Sequence, residues 1–503
     1  MLTKSTSLTL AEQLSSRFAE RINSRLLSPG ARLPSVRQCA LQQQVSPSTV
    51  VAAYDVLLAS GLVEARKNRG FFVRENSLGN SSKNRLNSSV AGVFIVSHAT
   101  NNITNNAENN AENNVININV ETLPGKIVNP ANAAMLIRGM FHQTNDKPQP
   151  GMGVFPPDWL AASFVTSAVR KVTSGAALQQ FSFQYGEPKG DSGLRRSLSN
   201  KLADINIAAP MAQIITTVGA THALDIVSRT LLKAGDTVMV EEPGWAIEFA
   251  RLQMLGLRIL PVPRGPQGPD LAVMAQYCEL HKPKLFVSVS VLHNPTGYSL
   301  SPTSAHRILK LANQYDFHIV EDDTYSHIAP SHATRLSALD GLQRTIYVSG
   351  FAKILAPNWR VGYLAAPPDL VERLLDTKLL GSLTTPSLLE KAVSWCIDQG
   401  QLRRHAERIR TQLDAARSRA LKLALTHGCT LAAEPAGLFG WVDTGVDTET
   451  LAQRMLDHGY LLAPGTLFYA DRQPSTLMRI NFATTQNAEF WAVFAKEVGR
   501  QAM

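Results

Sequence analysis

Between residues 76 and 119 the chain stops carrying the side chains a core needs. Fourteen of those 44 positions are Asn, concentrated in NNITNNAENNAENN, with many Ser and few large apolar residues. Such a stretch cannot bury enough apolar surface to offset its ordering entropy. It reads as a flexible linker, so whatever folds on either side must bury a core of its own. The apolar run VAGVFIVS at 90–97 receives no role. At roughly 100–200 residues per domain, 503 residues allow two to four domains. The asparagine break divides them into 1–75, a linker at 76–119, and 120–503.

Several classes are excluded before any motif is read. No stretch approaches the ~20 uninterrupted apolar residues that span a bilayer. Glu12, Arg17 and Arg21 interrupt the N-terminus before an apolar segment develops, which is not the pattern of a signal peptide. Cys39, Cys278, Cys396 and Cys429 lie far apart with no CxxC spacing. That predicts no disulfide framework and no metal site, and it fits a reducing cytoplasm.

Residues 8–27 place Leu10, Leu14, Phe18, Ile22 and Leu26 four apart, which is one face of a helix. Ser28-Pro29-Gly30 ends it. A second short helix begins after Ser35 as N-cap, and a third after Ser46, with Pro47 at its first position. Gly61 closes the third, and LVEAR, KNRG and FFVRE read as a two-stranded ribbon. Helix, helix–turn–helix and ribbon, in that order, describe a winged helix-turn-helix. Residues 1–75 hold ten Lys/Arg against five Asp/Glu, so this small module carries a polyanion-binding charge.

The segment SPGARLPSVRQCALQQQVSPSTVVAAYDVLLASGLVEARKNRGFFV resembles the DNA-binding domain of the GntR family of bacterial regulators. The resemblance implies a double-stranded DNA operator. Ser46, Ser48 and Thr49 would then stand at the groove-entering end of the third helix. Arg32, Ser35 and Arg37, at the start of the second, would meet a phosphate or a guanine edge. The wing tip Arg66, Lys67, Arg69 and Gly70 would track the minor groove. Pro47 and the Asn68-Arg69-Gly70 tip depart from the family pattern, so base preference does not carry over.

From residue 120 onward, short apolar runs (IITTVG, DTVMVEEP, KLFVSVSV, FHIVEDD, TIYVSG) alternate with helical patterns. This predicts an α/β domain with a mainly parallel central sheet. Ligands in such a sheet lie beyond the strands' carboxyl ends. Lys353 follows TIYVSG there, and a partly desolvated lysine can form a Schiff base with an aldehyde. The common aldehyde cofactor is pyridoxal 5′-phosphate, whose chemistry makes further demands. Asp322 fits its pyridine nitrogen, and Tyr325 and Asn294 its phenolate oxygen. Arg360 and the helix start at Gly219, Ala220 and Thr221 fit its phosphate. Trp245 fits its ring face.

With YGEPKGDSGLRRSL, TVGATHAL, EEPGW, HNPTG, EDDTY, SGFAKILAPNWRVGY and MRINFAT in order, residues ~150–500 resemble fold-type I, class I/II aminotransferases. The resemblance implies a large and a small subdomain. It assigns Lys353 the covalent cofactor link, Arg479 the clamp on a substrate or effector carboxylate, and Tyr185 a reach across a dimer interface. Where the family has hydroxyls just before the lysine, this chain has Gly350 and Ala352, leaving Ser349 for the cofactor. A GntR-type reader joined to such a domain resembles the MocR subfamily of regulators. That implies a homodimer, with DNA-binding domains that can exchange between protomers, and a response to an amino compound or to the cofactor itself. A working aminotransferase with an accessory DNA-binding domain, and a domain retained only as a dimerisation scaffold, stand as alternatives.

Overall fold

The computed structural model describes residues 9–74, except 24–26, 28, 29, 67 and 68, and residues 147–502, except 175. The expected linker, the segment 120–146 and Lys67 lie outside the described residues. The chain divides into two units, Met1–Asn129 and Pro130–Met503.

In the first unit, α1 (Leu10–Asn23) buries Leu14, Phe18 and Ile22, the stripe expected from the four-residue spacing. The next helix, α2 (Val36–Gln43), is capped by Ser35, which accepts from the Gln38 amide at 3.3 Å. Ser46 caps α3 (Pro47–Ala59) in the same way, accepting from the Thr49 amide at 3.1 Å. Each serine satisfies one of the amide donors that a helix start leaves without a partner. The ribbon is β1 (Val63–Arg66) antiparallel to β2 (Gly70–Val73).

Arg32 is not at the start of α2. Its segment runs alongside β2 as a short third strand, with Arg32 bridged to Phe72, the Val73 amide on Ala31 O at 2.9 Å and the Leu33 amide on Phe71 O at 2.9 Å. Tyr54 ties this arrangement together. Its ring meets Phe18 and Phe71 edge-on, at 5.7 and 5.0 Å between centroids, and its hydroxyl donates to Pro34 O at 2.9 Å. One α3 side chain thus fixes α1, the approach to α2 and the wing.

The second unit is built on an eight-stranded sheet of β3 (Ile214–Val218), β4 (Thr237–Glu242), β5 (Arg258–Gly265), β6 (Gly268–Pro269), β7 (Leu285–Ser288), β8 (His318–Asp322), β9 (Thr345–Gly350) and β10 (Val361–Ala365). The spatial order is β3-β10-β9-β8-β7-β4-β5-β6. All five apolar runs singled out in the sequence lie on strands. Helices cover both faces, as a sheet apolar on both sides requires. Val238 and Val240 of β4 pack with Leu224 and Phe249 on one face, and Met239 packs with Phe286 and Ile308 on the other.

Strands β5, β4, β7, β8 and β9 are mutually parallel, whereas β10 is antiparallel to both β9 and β3. Residues 351–360 are too few for a helical crossover, so the chain returns directly along β9. The carboxyl ends of β3, β4, β7, β8 and β9 and the start of β10 therefore share one edge. A smaller antiparallel sheet, β11 (Thr430–Leu431), β12 (Phe439–Asp443), β14 (Leu477–Asn481) and β13 (Ala463–Pro464), forms the second lobe with helices Gln401–Thr426, Thr448–Asp457 and Ala488–Ala502.

Leu14 is fully buried in the first unit's core. Leu14→Ala should cost about 2–5 kcal/mol, read as a lower urea midpoint for amide protection in that unit with the second unit unchanged.

Candidate functional site

The shared sheet edge and the small lobe enclose a cavity of about 130 Å³. Its lining includes Ala220, Thr221, Trp245, Asn294, Asp322, Tyr325, Lys353, Arg360 and Arg479. Nine residues chosen from the sequence thus meet in one space, delivered by five strand ends and the small sheet.

Strand alternation selects Asp322 from three consecutive carboxylates. Glu321 turns away and accepts from the Leu336 and Ser337 amides at 2.7 and 2.8 Å, holding the start of helix Leu336–Asp340. Asp323, on the same side, pairs with Arg335 at 2.6 Å and accepts from the Tyr347 hydroxyl at 2.9 Å. Asp322 alone faces the cavity, where its Oδ1 accepts from the Thr324 amide at 3.0 Å and from the Thr324 hydroxyl. Burial raises its pKa from 3.8 to about 6 against those hydrogen bonds.

Lys353 leaves the β9–β10 return and donates to Gly153 O at 2.7 Å. Burial, helped by the charge of Arg479, lowers its pKa to about 8. Arg479, on β14, is only 3% exposed. Its Nη1 donates to Asn294 Oδ1 at 2.8 Å and its Nη2 to Gly151 O at 2.5 Å, while its Nε has no partner. The guanidinium lies over the rings of Phe439 and Phe468, at 4.3 and 5.1 Å from their centroids. Burial lowers its pKa to about 10. Because Asn294 accepts through Oδ1, its amide hydrogens remain available on the cavity side.

Arg360 occupies a left-handed turn, φ 52°, at the entry to β10 and donates to Val218 O at 3.3 Å. It lies flat against Gly219, where φ is +78° and an added Cβ would stand 2.4 Å from Nη2. Only glycine meets both demands. Gly219 does not line the cavity itself; it lets Arg360 and the start of helix Ala220–Leu231 stand together. No side chain caps that helix, so its first amides are free to meet an anion.

Two expected cofactor residues stand elsewhere. Ser349 is fully buried and donates to Asp323 O at 2.9 Å, with Ser326 Oγ at 3.3 Å. Strand alternation turns it away from the cavity, and Asp323 has claimed it. Tyr185 is 83% exposed and lines a separate groove with Phe181, Lys391 and Trp395, so within one protomer it does not meet Lys353. Sequence reasoning missed Gly151, Gly153, Thr324, Ala352 and Phe468, which also line the cavity. Thr324 was legible in EDDTY, and the pair Gly151-Met152-Gly153 hinted at close backbone approach. Phe468 carried no local signal.

In the first unit, Ser46 Oγ lies 2.7 Å from Ser48 Oγ and 2.8 Å from Thr49 Oγ1, a hydroxyl cluster at the exposed start of α3. Ser35, Arg37, Arg69 and Gly70 are exposed. Arg66 bonds to Glu64 at 2.8 Å and stacks on Phe72 at 4.6 Å. Arg32 packs beside Gly70 of the wing, its Nε 3.5 Å from where a Cβ there would be.

The shifts at Asp322 and Lys353 have opposite pH signatures. The raised Asp322 pKa gives a stabilising contribution that is complete below about pH 4 and lost as pH rises through 6. The lowered Lys353 pKa gives one that is complete above about pH 10.5 and lost as pH falls through 8. In cofactor-free protein, Asp322→Asn should raise the thermal midpoint near pH 7.5 but not near pH 4, and Lys353→Met near pH 7 but not near pH 10.5. Equal effects at both pH values would contradict these assignments.

The family model "Aminotransferase class I and II" matches residues 156–493, and "Bacterial regulatory proteins, gntR family" matches residues 10–73. Aromatic-amino-acid aminotransferase 1 of Thermococcus litoralis is 27% identical over 68% of this chain and 84% of its own length. The uncharacterized HTH-type transcriptional regulator YdfD of Bacillus subtilis is 26% identical over 90% of this chain and 88% of its own, so its similarity runs through both units. Among solved structures, Pyrococcus horikoshii kynurenine aminotransferase, in complex with PMP, KYN and KYA, superposes with a TM-score of 0.66 at 25% identity. That match covers 73% of this chain and 95% of the other. The chain belongs to the class I and II aminotransferases, a pyridoxal-phosphate-dependent family, and carries a GntR-type helix-turn-helix ahead of that domain, the architecture of the MocR-like regulators.

Proposed function

We propose that this chain is a cytoplasmic, homodimeric transcriptional regulator whose second unit binds pyridoxal 5′-phosphate at Lys353 and senses an amino compound, or the cofactor itself, in the same cavity. The observation that carries the reading is the convergence of Lys353, Asp322, Arg360 and Arg479 on one cavity in a chain that also holds a GntR-type reader.

The donor set suits the cofactor group by group. Arg360 and the uncapped amides at Ala220 and Thr221 suit its phosphate, and Asp322 its pyridine nitrogen. Tyr325 and the free amide hydrogens of Asn294 suit its phenolate oxygen, and Trp245 its ring face. The cofactor, when bound, supplies an aldehyde for an amine and an electron-withdrawing ring. Lys353, at a pKa of about 8, keeps an appreciable neutral fraction near pH 7.5, the form that attacks a carbonyl. Asp322 holds a proton at the ring nitrogen, and a cation placed there draws its raised pKa back down. Arg479 offers a planar fork to a carboxylate. Its neutral partners, Asn294 Oδ1 and Gly151 O, hold the fork in place without cancelling its charge.

On the DNA side, the hydroxyl cluster Ser46, Ser48 and Thr49 faces the duplex with Ser35 and Arg37, and Arg32, Arg66, Lys67, Arg69 and Gly70 form the wing contact. Tyr185, exposed on one protomer, is assigned to the partner's cofactor phosphate. An effector acts by binding the DNA-competent and DNA-incompetent states with different affinity.

The deciding measurement is a mobility-shift assay on the protein's own upstream intergenic DNA, with and without pyridoxal 5′-phosphate and candidate amines. Retarded DNA whose affinity changes with ligand is expected. Lys353→Ala should abolish the yellow, borohydride-reducible adduct and the ligand response while keeping DNA binding. Steady-state transamination at about 1–1,000 per second without DNA binding would overturn the reading in favour of a working enzyme. A response to the cofactor alone would make the cofactor the effector.

A further inference from the structure

The helix Gln401–Thr426 of the second unit holds seven Lys/Arg against two Asp/Glu. One face is core, with Leu402, Ile409, Leu413 and Ala420 buried. On another, Arg404, Arg408, Arg419 and Lys422 are all exposed. At about 100° per residue these four lie within roughly 60° of one another, in a stripe about 27 Å long at 1.5 Å per residue. The exposed positions between them on that stripe are Thr411 and Ala415, both small.

Among the described residues, three of these cations are held without a carboxylate partner. Arg404 Nη2 donates to Gln399 O at 3.1 Å, Arg408 Nη2 to Trp159 O at 2.5 Å, and Arg419 Nε to Gln486 Oε1 at 2.9 Å. Every one of these acceptors is neutral. By contrast, Arg251 pairs with Glu248 and Arg335 with Asp323. A guanidinium held on a carbonyl keeps its position and its uncompensated charge together. The two acidic residues of the helix do not cancel it: Asp414 is bridged to Arg417, and Glu407 and Asp414 both project to one side of the stripe by the same helical geometry.

A row of exposed cations along one helix, three of them positioned on neutral acceptors, fits a polyanion with closely and regularly spaced charges. Duplex DNA presents one phosphate charge per about 1.7 Å of axis, and ~27 Å is most of one turn. Thr411 and Ala415 allow a close backbone approach. A lipid surface is a poorer match, because an interfacial helix needs an apolar face beside its cations and the stripe positions carry none.

We propose that this stripe is a second DNA-contacting surface, which binds the phosphate backbone of duplex DNA flanking the operator. The proposal rests on the reading of the chain as an operator-binding regulator. Contacts of this kind add affinity and salt dependence and carry no base preference.

The test uses the full-length protein and two probes: its footprinted upstream site trimmed to the protected core, and the same site with about 30 base pairs added on each side. Four phosphate contacts by one protomer's stripe should make the slope of log affinity against log salt steeper by about 3–4 on the longer probe, and by about twice that where both protomers' stripes engage. The variant Arg404→Gln/Arg408→Gln/Arg419→Gln/Lys422→Gln should lose that difference, weaken on the long probe by at least about tenfold at low salt, and match wild type on the core. Arg404→Lys/Arg408→Lys/Arg419→Lys, which keeps charge and alters the arginine hydrogen bonds, should retain the wild-type slope, separating charge from folding. Persistence of the steeper slope in the glutamine variant, or equal wild-type slopes on both probes, would overturn the stripe and leave operator binding intact. Charge-dependent binding to vesicles with about one-fifth anionic lipid, combined with equal slopes on both probes, would reassign it to lipid headgroups. Absence of any footprint would overturn the operator-binding reading and the stripe with it.

Discussion

The second unit depends on how the chain gets from β9 to β10. Residues 351–360 are too short to cross over the sheet, so β10 runs antiparallel beside β9 and pairs on its other side with β3. That reversal places Lys353 in the return and Arg360 at its end, both on the edge where β3, β4, β7 and β8 also finish. Gly219, at the end of β3, then meets the guanidinium of Arg360 at a distance that excludes any side chain. Lys353, Arg360 and the uncapped amides that open helix Ala220–Leu231 are brought together by one short connection.

Beneath the cavity the same strands manage a dense set of buried charges. Glu241, Glu321 and Asp323 are all essentially inaccessible. An uncompensated charge there would be strongly destabilising. Arg335 and the Tyr347 hydroxyl answer Asp323, two backbone amides answer Glu321, and the Val289 amide with Ser288 answers Glu241 at 2.8 and 3.2 Å. With these partners committed on one side of β8, Asp322 is left as the carboxylate the cavity can use.

Much of this was legible in the sequence, for identifiable reasons. Apolar runs covered on both sides of a sheet announce themselves, and serine caps with Pro47 announce helix starts, so the strands and the reader's helices fell where expected. Arg32, Ser349 and the cavity's backbone lining were not legible. Arg32 joins β2 because of long-range amide pairing, and nothing in PGARLPS shows it. Ser349 sits four residues before Lys353, where chain proximity suggested a shared role; strand alternation instead gives it to Asp323. The rings that flank Arg479 come from Phe439 and Phe468, and its carbonyl partner from Gly151, so packing between distant segments, rather than any local period, buries and orients that arginine.

Gly151, Met152, Gly153 and Val154 form a short segment stitched across the two lobes. Lys353 holds the Gly153 carbonyl, Arg479 holds that of Gly151, and Asn481 holds those of Met152 and Val154 at 2.9 and 2.7 Å. A ligand that recruits the lysine nitrogen competes with Gly153 for it, and a carboxylate on Arg479 competes with Gly151. The fastening of this segment therefore rests in part on the same two side chains to which the proposed function assigns the ligand. Under that proposal, occupancy would loosen this backbone as well as fill a space. In mechanical terms, Lys353 and Arg479 would then serve as latches as well as ligand contacts.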